Sequence, residues 1–283
     1  MKFRVPVISF FIFLALICKI SAQLHVMPNI PRDVSVMTAV DSCKVRVWYA
    51  LNAEDIKDYH SYEDWHRLEI GSQMSKYYSY FVYRNDSLCT EQSKNNPVYL
   101  RVPRRCDNLG NPGKHLWSEY YHTDFFKNFS EGTLTQYTFM PRGVPHHKYT
   151  ENMPVQNWTL LEDTASIAGY LCQKATCMFR GRNFEAWFTP EIPIGNGPWK
   201  FGGLPGLILK VYDADSLYVF ECTHIDFSQY AFTIQKHDSR NYLDISREKY
   251  RKIVKNINED YDNFIGGRGG PRIYPPYNPL ELE

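Results

Sequence analysis

The chain has 283 residues with 32 basic and 31 acidic side chains, a formal charge of +1. That balance gives no electrostatic footing for nucleic acid, whose binding proteins concentrate Lys and Arg on one surface. Aromatic residues make up 16% of the chain, 21 of them tyrosines, which leans the fold toward pleated, half-buried surfaces.

The chain opens with Lys2 and Arg4, then an apolar run from Val5 to Ile17, then small residues ending at Ala22. A positive start, a short apolar middle and a small-residue end describe a secretory signal peptide. Residues 1–22 are read as that peptide, cleaved after Ala22. The run is shorter than the roughly 20 residues a spanning helix needs. Cys18 offers lipoprotein processing as an alternative, but Ile17 stands where that processing wants a small residue. Loss of Lys2, Arg4 and Lys19 takes the formal charge to −2. No second long apolar run follows, so the mature chain is not expected to cross a membrane. Residues 23–283 are read as one domain, exported to the periplasm, the cell surface or the medium.

Residues 23–42 read as an extended lead-in. Lys44–Ala50 alternates polar and apolar side chains, the period of a strand. Trp65 to Val82 is β-rich, and Arg84–Ser87 reads as a turn. Residues 88–114 read as an irregular loop enclosing Cys89 and Cys106. Further strands are expected at 133–140, 158–161, 167–179, 184–189, 207–212 and 217–227, with turns at 141–147, 180–183 and 213–216. Ser246 is a good N-cap for a helix whose Tyr250, Ile253, Val254 and Ile257 share one face. The expected fold is mainly β (β-rich α+β): an antiparallel, curved sheet or half-barrel with a C-terminal helix packed on it.

Six cysteines follow the signal segment: Cys43, Cys89, Cys106, Cys172, Cys177 and Cys222. In an exported chain an even count reads as disulfides, but sequence does not choose among the 15 full pairings of six thiols. Cys172 and Cys177 are an odd five residues apart, so on a regular strand they face opposite ways and each needs a partner elsewhere. Cys172 with Cys222, on strands of one meander, and Cys89 with Cys106 are the candidate pairs. No C-x2-C spacing suggests zinc, and the adjacent His146 and His147 lack an evident third ligand.

Around Gly202 the sequence becomes distinctive. Gly203-Leu204-Pro205-Gly206-Leu207-Ile208 follows Gly197-Pro198-Trp199-Lys200-Phe201, and Gly169–Ala175, Phe179–Arg182 and Trp187–Pro193 precede it. These blocks, with Ile70-Gly71, Ser75–Ser79 and the ending Tyr277–Leu282, resemble the GLPGLI family of exported Bacteroidota proteins. The resemblance runs from about residue 40 to the C-terminus. It implies export, a β-rich fold and a cell-envelope setting. It supplies no catalytic residues, because the family has no assigned activity. Cys177 departs from its pattern, where a small residue is commoner.

No motif of catalytic chemistry stands out. Gly206 is followed by Leu-Ile-Leu, so the glycines form no phosphate loop. Gly71-Ser72-Gln73-Met74 lacks the second glycine of a nucleophile elbow, and H-E-x-x-H is absent. The glycines and Pro205 are better explained by turn geometry and close backbone approach. Arg180, Arg182 and Lys200, with Trp187 and Trp199, form a candidate site for a carboxylate, sugar or peptide, together with Gly203, Pro205 and Gly206. The expected function is binding of a small ligand, peptide or envelope protein without a cofactor. An accessory role in an outer-membrane transport assembly and a hydrolase whose site forms only in the fold stay open.

Overall fold

The computed structural model describes residues 30–101, 119–227, 232–264 and 277–283. The expected signal peptide, Cys18, Cys106 and the glycines at 266–270 lie outside these residues. Among them β1 (Thr38–Cys43) and β13 (Phe232–Lys236) pair as an antiparallel ribbon. Twelve other strands share one sheet: β2 (Val45–Leu51), β3 (Asp64–Ile70), β4 (Met74–Ser79), β5 (Thr123–Asn128), β6 (Thr133–Thr138), β7 (His147–Asn152), β8 (Thr159–Ile167), β9 (Tyr170–Phe179), β10 (Arg182–Thr189), β11 (Leu207–Asp213), β12 (Val219–Asp226) and β14 (Leu243–Asp244). Their order is β14-β7-β6-β5-β4-β3-β2-β12-β11-β10-β9-β8, antiparallel throughout except for the β14–β7 edge.

The sheet curls strongly. Arg180, in the turn after β9, reaches Glu151 of β7 at 2.7 Å, although these strands lie near opposite ends of the order. The terminal strands β8 and β14 do not pair with each other, so the curl is an open half-barrel. Strand alternation fills its inner face. Val47, Tyr49 and Leu51 of β2, Leu68 of β3 and Phe184, Ala186 and Phe188 of β10 are buried there in one cluster. The ribbon covers part of the outer face through Ile234, packed with Phe126, Tyr137 and Tyr242. The N-terminal segment is tied down by Arg32, paired with Asp86 at 2.8 Å and Asp124 at 3.3 Å, while Lys76 meets Asp124 at 3.2 Å.

The C-terminal helix α2 (Arg247–Phe264) forms as its spacing predicts. The Ser246 hydroxyl accepts from Lys249 N–H at 3.2 Å, and Tyr250, Val254 and Ile257 bury against Met140 and Tyr149. The other helix, α1 (Tyr80–Ser93), corrects the sequence reading, which continued a strand to Val82 and turned at Arg84. Ser79 ends β4 and caps α1, its hydroxyl accepting from Val82 N–H at 3.1 Å. The helix buries Asn85, Asp86 and Thr90 beside Phe81 and Cys89, so its inward stripe is largely polar and shows no apolar period. Strands β5 and β7 also go beyond the reading. In β7 the inward side chains are His147, Tyr149 and Glu151, which hide the alternation.

The strand expected from Ile167 to Phe179 forms as β9 from Tyr170 onward, while Ile167 closes β8. Ala168 and Gly169 take left-handed conformations, with φ of 51° and 86°, and turn β8 into β9. The register between these strands then shifts, with Leu160 opposite Ala175 but Thr164 opposite Gln173. Cys172 and Cys177 both bury in the inner cluster despite their odd spacing. The expected Cys172–Cys222 bridge is not formed, and both thiols are free and buried. Two strands, β10 and β11, stand between them. Three spacings of about 4.8 Å amount to roughly 14 Å along the sheet, against a Cα separation of about 7 Å at most for a disulfide. Cys89 is disulfide-bonded. Its expected partner Cys106 lies outside the described residues.

Candidate functional site

The glycine-rich connection between β10 and β11 folds onto the inner face and spends its backbone groups on the protein itself. Lys127 of β5 donates to the Asn196 side-chain oxygen at 2.7 Å, the Gly197 carbonyl at 3.2 Å and the Phe201 carbonyl. Gln156 takes the Lys200 carbonyl at 3.3 Å and the Gly202 N–H at 3.2 Å, and Trp158 donates to the Gly202 carbonyl at 2.9 Å. Gly206 is buried where a Cβ would overlap the Thr189 carbonyl oxygen and sit 3.0 Å from the Pro190 nitrogen. Gly203 holds φ +80 with open space around it. This connection is therefore a packing device, as turn chemistry suggests, with no ring of free amides aimed at a ligand. Burial pushes the Lys127 ammonium down to about 7. Its three acceptors match the three N–H bonds of the charged form.

What the connection positions is Lys200. Trp199 adopts a left-handed backbone, φ +50, a conformation that costs a non-glycine residue roughly 1–2 kcal/mol. The turn is closed by Phe201 N–H on the Pro198 carbonyl at 3.0 Å. Trp199 packs on Phe179 and Phe201, and Lys200 is buried beside it. The Lys200 ammonium meets the Tyr149 hydroxyl at 2.7 Å, Glu151 at 3.0 Å and Glu281. Arg247 of α2 closes on the same Glu281, its Nε at 2.9 Å, and Arg180 closes on Glu151. Burial alone would raise the Glu281 carboxyl, but Lys200 and Arg247 outweigh it and hold its pKa below the ordinary value.

Glu281 belongs to the C-terminal segment 277–283, which lies along this site without joining the sheet. Arg182 grips it upstream, donating through Nε to the Pro279 carbonyl at 2.9 Å and through Nη1 to Asp213 at 3.1 Å. Leu280 is 1% exposed and part of the inner core, its N–H held by the Tyr120 hydroxyl at 2.8 Å. Arg251 donates to the Glu281 carbonyl at 2.9 Å, and Leu282 N–H donates to the Arg180 carbonyl at 2.8 Å. The structure thus brings together Arg180, Arg182, Trp199 and Lys200. All three cations are already paired, two with Glu151 or Glu281 and Arg182 with Asp213.

A cavity of about 40 Å³ lies under this segment, bounded by Glu119, Gln136, Tyr149, Tyr250 and Tyr277 among others. That is space for two or three waters, far below the 300–1,000 Å³ of a small-molecule site. Glu119 is buried and accepts from the Tyr277 hydroxyl at 2.6 Å and the Asn258 amide at 3.2 Å. Burial drives its carboxyl up to about 7, only partly opposed by these bonds. Sequence reasoning missed Glu119, Lys127, Glu151 and Arg247. They are single charges on segments far apart in the chain, and only the curl of the sheet brings those segments together. Glu281 lies within an ending already noticed as distinctive.

Trp187 does not join the others. It is an odd-numbered residue of β10, where Arg182, Phe184 and Ala186 point inward, so it faces outward under Lys174, 5.7 Å from its ring. Gly203 and Pro205 are exposed at the loop surface. His146 accepts from Met140 N–H at 3.1 Å and lies 3.9 Å from the Phe139 ring. Among the described residues no group of three His, Cys, Asp or Glu converges as a metal site. The arrangement nearest to a catalytic one is His66 with Asp64 at 3.2 Å. Both are buried, and the neighbouring Ser79 hydroxyl is spent on Asp64 at 2.9 Å and on capping α1.

A family model described as "Protein of unknown function (Porph_ging)" matches residues 180–210, from the β9–β10 turn into β11. No curated protein matches the chain. Among solved structures it is similar to PNGF-II in the P21 and C2 space groups, at 16% identity and TM-scores of 0.47 and 0.45. Those matches cover 76% of this chain and 33% of PNGF-II, so the chain spans about a third of that protein's length. It is also similar to an uncharacterized conserved protein from Thermus thermophilus, at 6% identity and a TM-score of 0.34, covering 76% of this chain and 94% of that one.

Proposed function

We propose that this chain is an exported cell-envelope protein of the GLPGLI family that binds a partner or ligand and does not turn over a substrate. The observation that carries the reading is the convergence of Arg180, Arg182 and Lys200 on one inner-face site that holds an extended chain segment. Cations arranged this way suit carboxylate and backbone-carbonyl recognition. The buried state of His66 and Asp64 and the engaged hydroxyl of Ser79 favour binding over hydrolysis. The opening segment Met1–Ala22 and the match to residues 180–210 support the envelope setting and the family.

The test is native mass spectrometry of the unreduced protein purified from the envelope fraction of its own cells. A chain beginning at Gln23 with a stoichiometric bound partner is the expected result. A bare chain retained in the cytoplasm, with Met1 intact, would overturn the reading.

A further inference from the structure

We propose that the inner-face groove is a peptide-recognition site that residues 277–283 occupy in cis, and that its partner is an extended protein segment carrying an apolar residue followed by an acidic one. The inference rests on the binding reading above and names its partner class.

The contacts define that chemistry. The segment is gripped mainly through its backbone: Arg182 on the Pro279 carbonyl, Tyr218 on the Asn278 carbonyl at 2.5 Å, Tyr120 on Leu280 N–H and Arg251 on the Glu281 carbonyl. Side-chain donors and acceptors aimed at a backbone hold any extended sequence, much as peptide-binding domains do. Selectivity comes at two adjacent positions. Leu280 fills a hole in the inner core, and the Glu281 carboxylate sits between Lys200 and Arg247. The sheet donates almost nothing to this segment, since Leu282 N–H on the Arg180 carbonyl is its single backbone–backbone bond among the described residues. Removing the segment would vacate a core position, take the Glu281 carboxylate from Lys200 and Arg247, and leave Lys200 with Glu151 and Arg182 with Asp213 alone. A replacement must therefore supply both the apolar side chain and the carboxylate. The 40 Å³ left beneath the segment admits no organic ligand while it is in place, so a peptide that takes the groove must displace it.

The experiment uses the full chain and a fluorescent heptapeptide, Tyr-Asn-Pro-Leu-Glu-Leu-Glu, the sequence of residues 277–283. The tethered tail competes at an effective concentration of roughly millimolar, which masks the groove in the wild-type chain. Leu280→Asp and, more mildly, Glu281→Gln weaken the tail in cis; circular dichroism checks that each variant stays folded. The peptide should bind a folded variant at least about tenfold more tightly than it binds the wild-type chain. The same peptide carrying Leu280→Asp should not bind. Absence of saturable binding to either variant, or equal binding of the altered peptide, would overturn the proposal. So would a wild-type chain that elutes as a tail-exchanged dimer, because a second copy would then fill the groove. Failure here leaves the envelope-binding reading to its own mass measurement, so the two can fail separately.

Discussion

Glu119→Gln isolates the carboxyl beneath the tail. Glu119 is buried and carries a pKa of about 7, against 4.5 for an ordinary glutamate. Below pH 4.5 both the folded and the unfolded states hold its proton, so it adds no pH dependence. Between 4.5 and 7 the unfolded chain ionises and the folded chain does not. Each pH unit in that window then favours unfolding by about 1.4 kcal/mol, up to about 3 kcal/mol in all. Raised folded-state pKa means stability present at acid pH and lost as pH climbs through 7. His66 and His122 act in the opposite sense, since burial drives both down to about 3 and their stabilisation is lost as pH falls below 6.5. The wild-type curve is therefore a mixture, but the histidines are common to both proteins. Urea unfolding of wild type and Glu119→Gln from pH 4.5 to 8 gives a stability difference free of them. The new amide meets the Asn258 amide donor, which adds an offset that does not vary with pH. The variant should gain on the wild type as pH rises, by up to about 3 kcal/mol across the window. A flat difference would show that Glu119 titrates normally and that the site under the tail is wetter than its geometry implies.

Gly206→Ala should destabilise the fold by several kcal/mol, because its Cβ would collide with the Thr189 backbone, whereas Gly203→Ala pays only for a left-handed φ, roughly 1–2 kcal/mol. Similar midpoints for the two variants in a urea titration would contradict the packing assigned to the connection. Lys127→Met leaves the Gly197 and Phe201 carbonyls without their buried donor and should cost about 3 kcal/mol, read in the same titration. Cys172 and Cys222, 0% and 3% exposed with burial pushing their thiols up to about 11 and 12, should resist a maleimide until urea unfolds the chain. Rapid labelling of the native protein would place them on a more open face.

The sequence was readable wherever an element buries a regular apolar stripe. The α2 face of Tyr250, Val254 and Ile257 and the β10–β11–β12 meander appear where periodicity puts them, and so does the mainly β fold with its covering helix. Reading failed where inward positions are polar. Asn85, Asp86 and Thr90 hide α1, and Tyr149 and Glu151 hide β7. It failed again at the Ala168-Gly169 turn, where the chain around it looks continuously β. Of the candidate site, Arg180, Arg182, Trp199 and Lys200 were readable from their clustering around the glycine block. Trp187 was misplaced because alternation along β10 sends it to the other face. Glu119, Lys127 and Arg247 come from distant segments, and no local pattern announces them.

The glycine block and the buried charges belong to one design. Gly206 lets the connection lie against Thr189, Lys127 and Gln156 hold its carbonyls, and the strained Trp199 then carries Lys200 under the tail. A buried ammonium is costly unless it is paired and hydrogen-bonded, and here one carboxylate comes from β7 and the other from residue 281. Such a groove cannot stand empty at low cost. Whether it serves only the chain's own ending is then a question of competition. A peptide with micromolar affinity facing a roughly millimolar tethered rival would take about one site in a thousand at micromolar concentration. An envelope partner must therefore act through a second contact that raises its local concentration, or through a segment that fills the Leu280 hole better than leucine does.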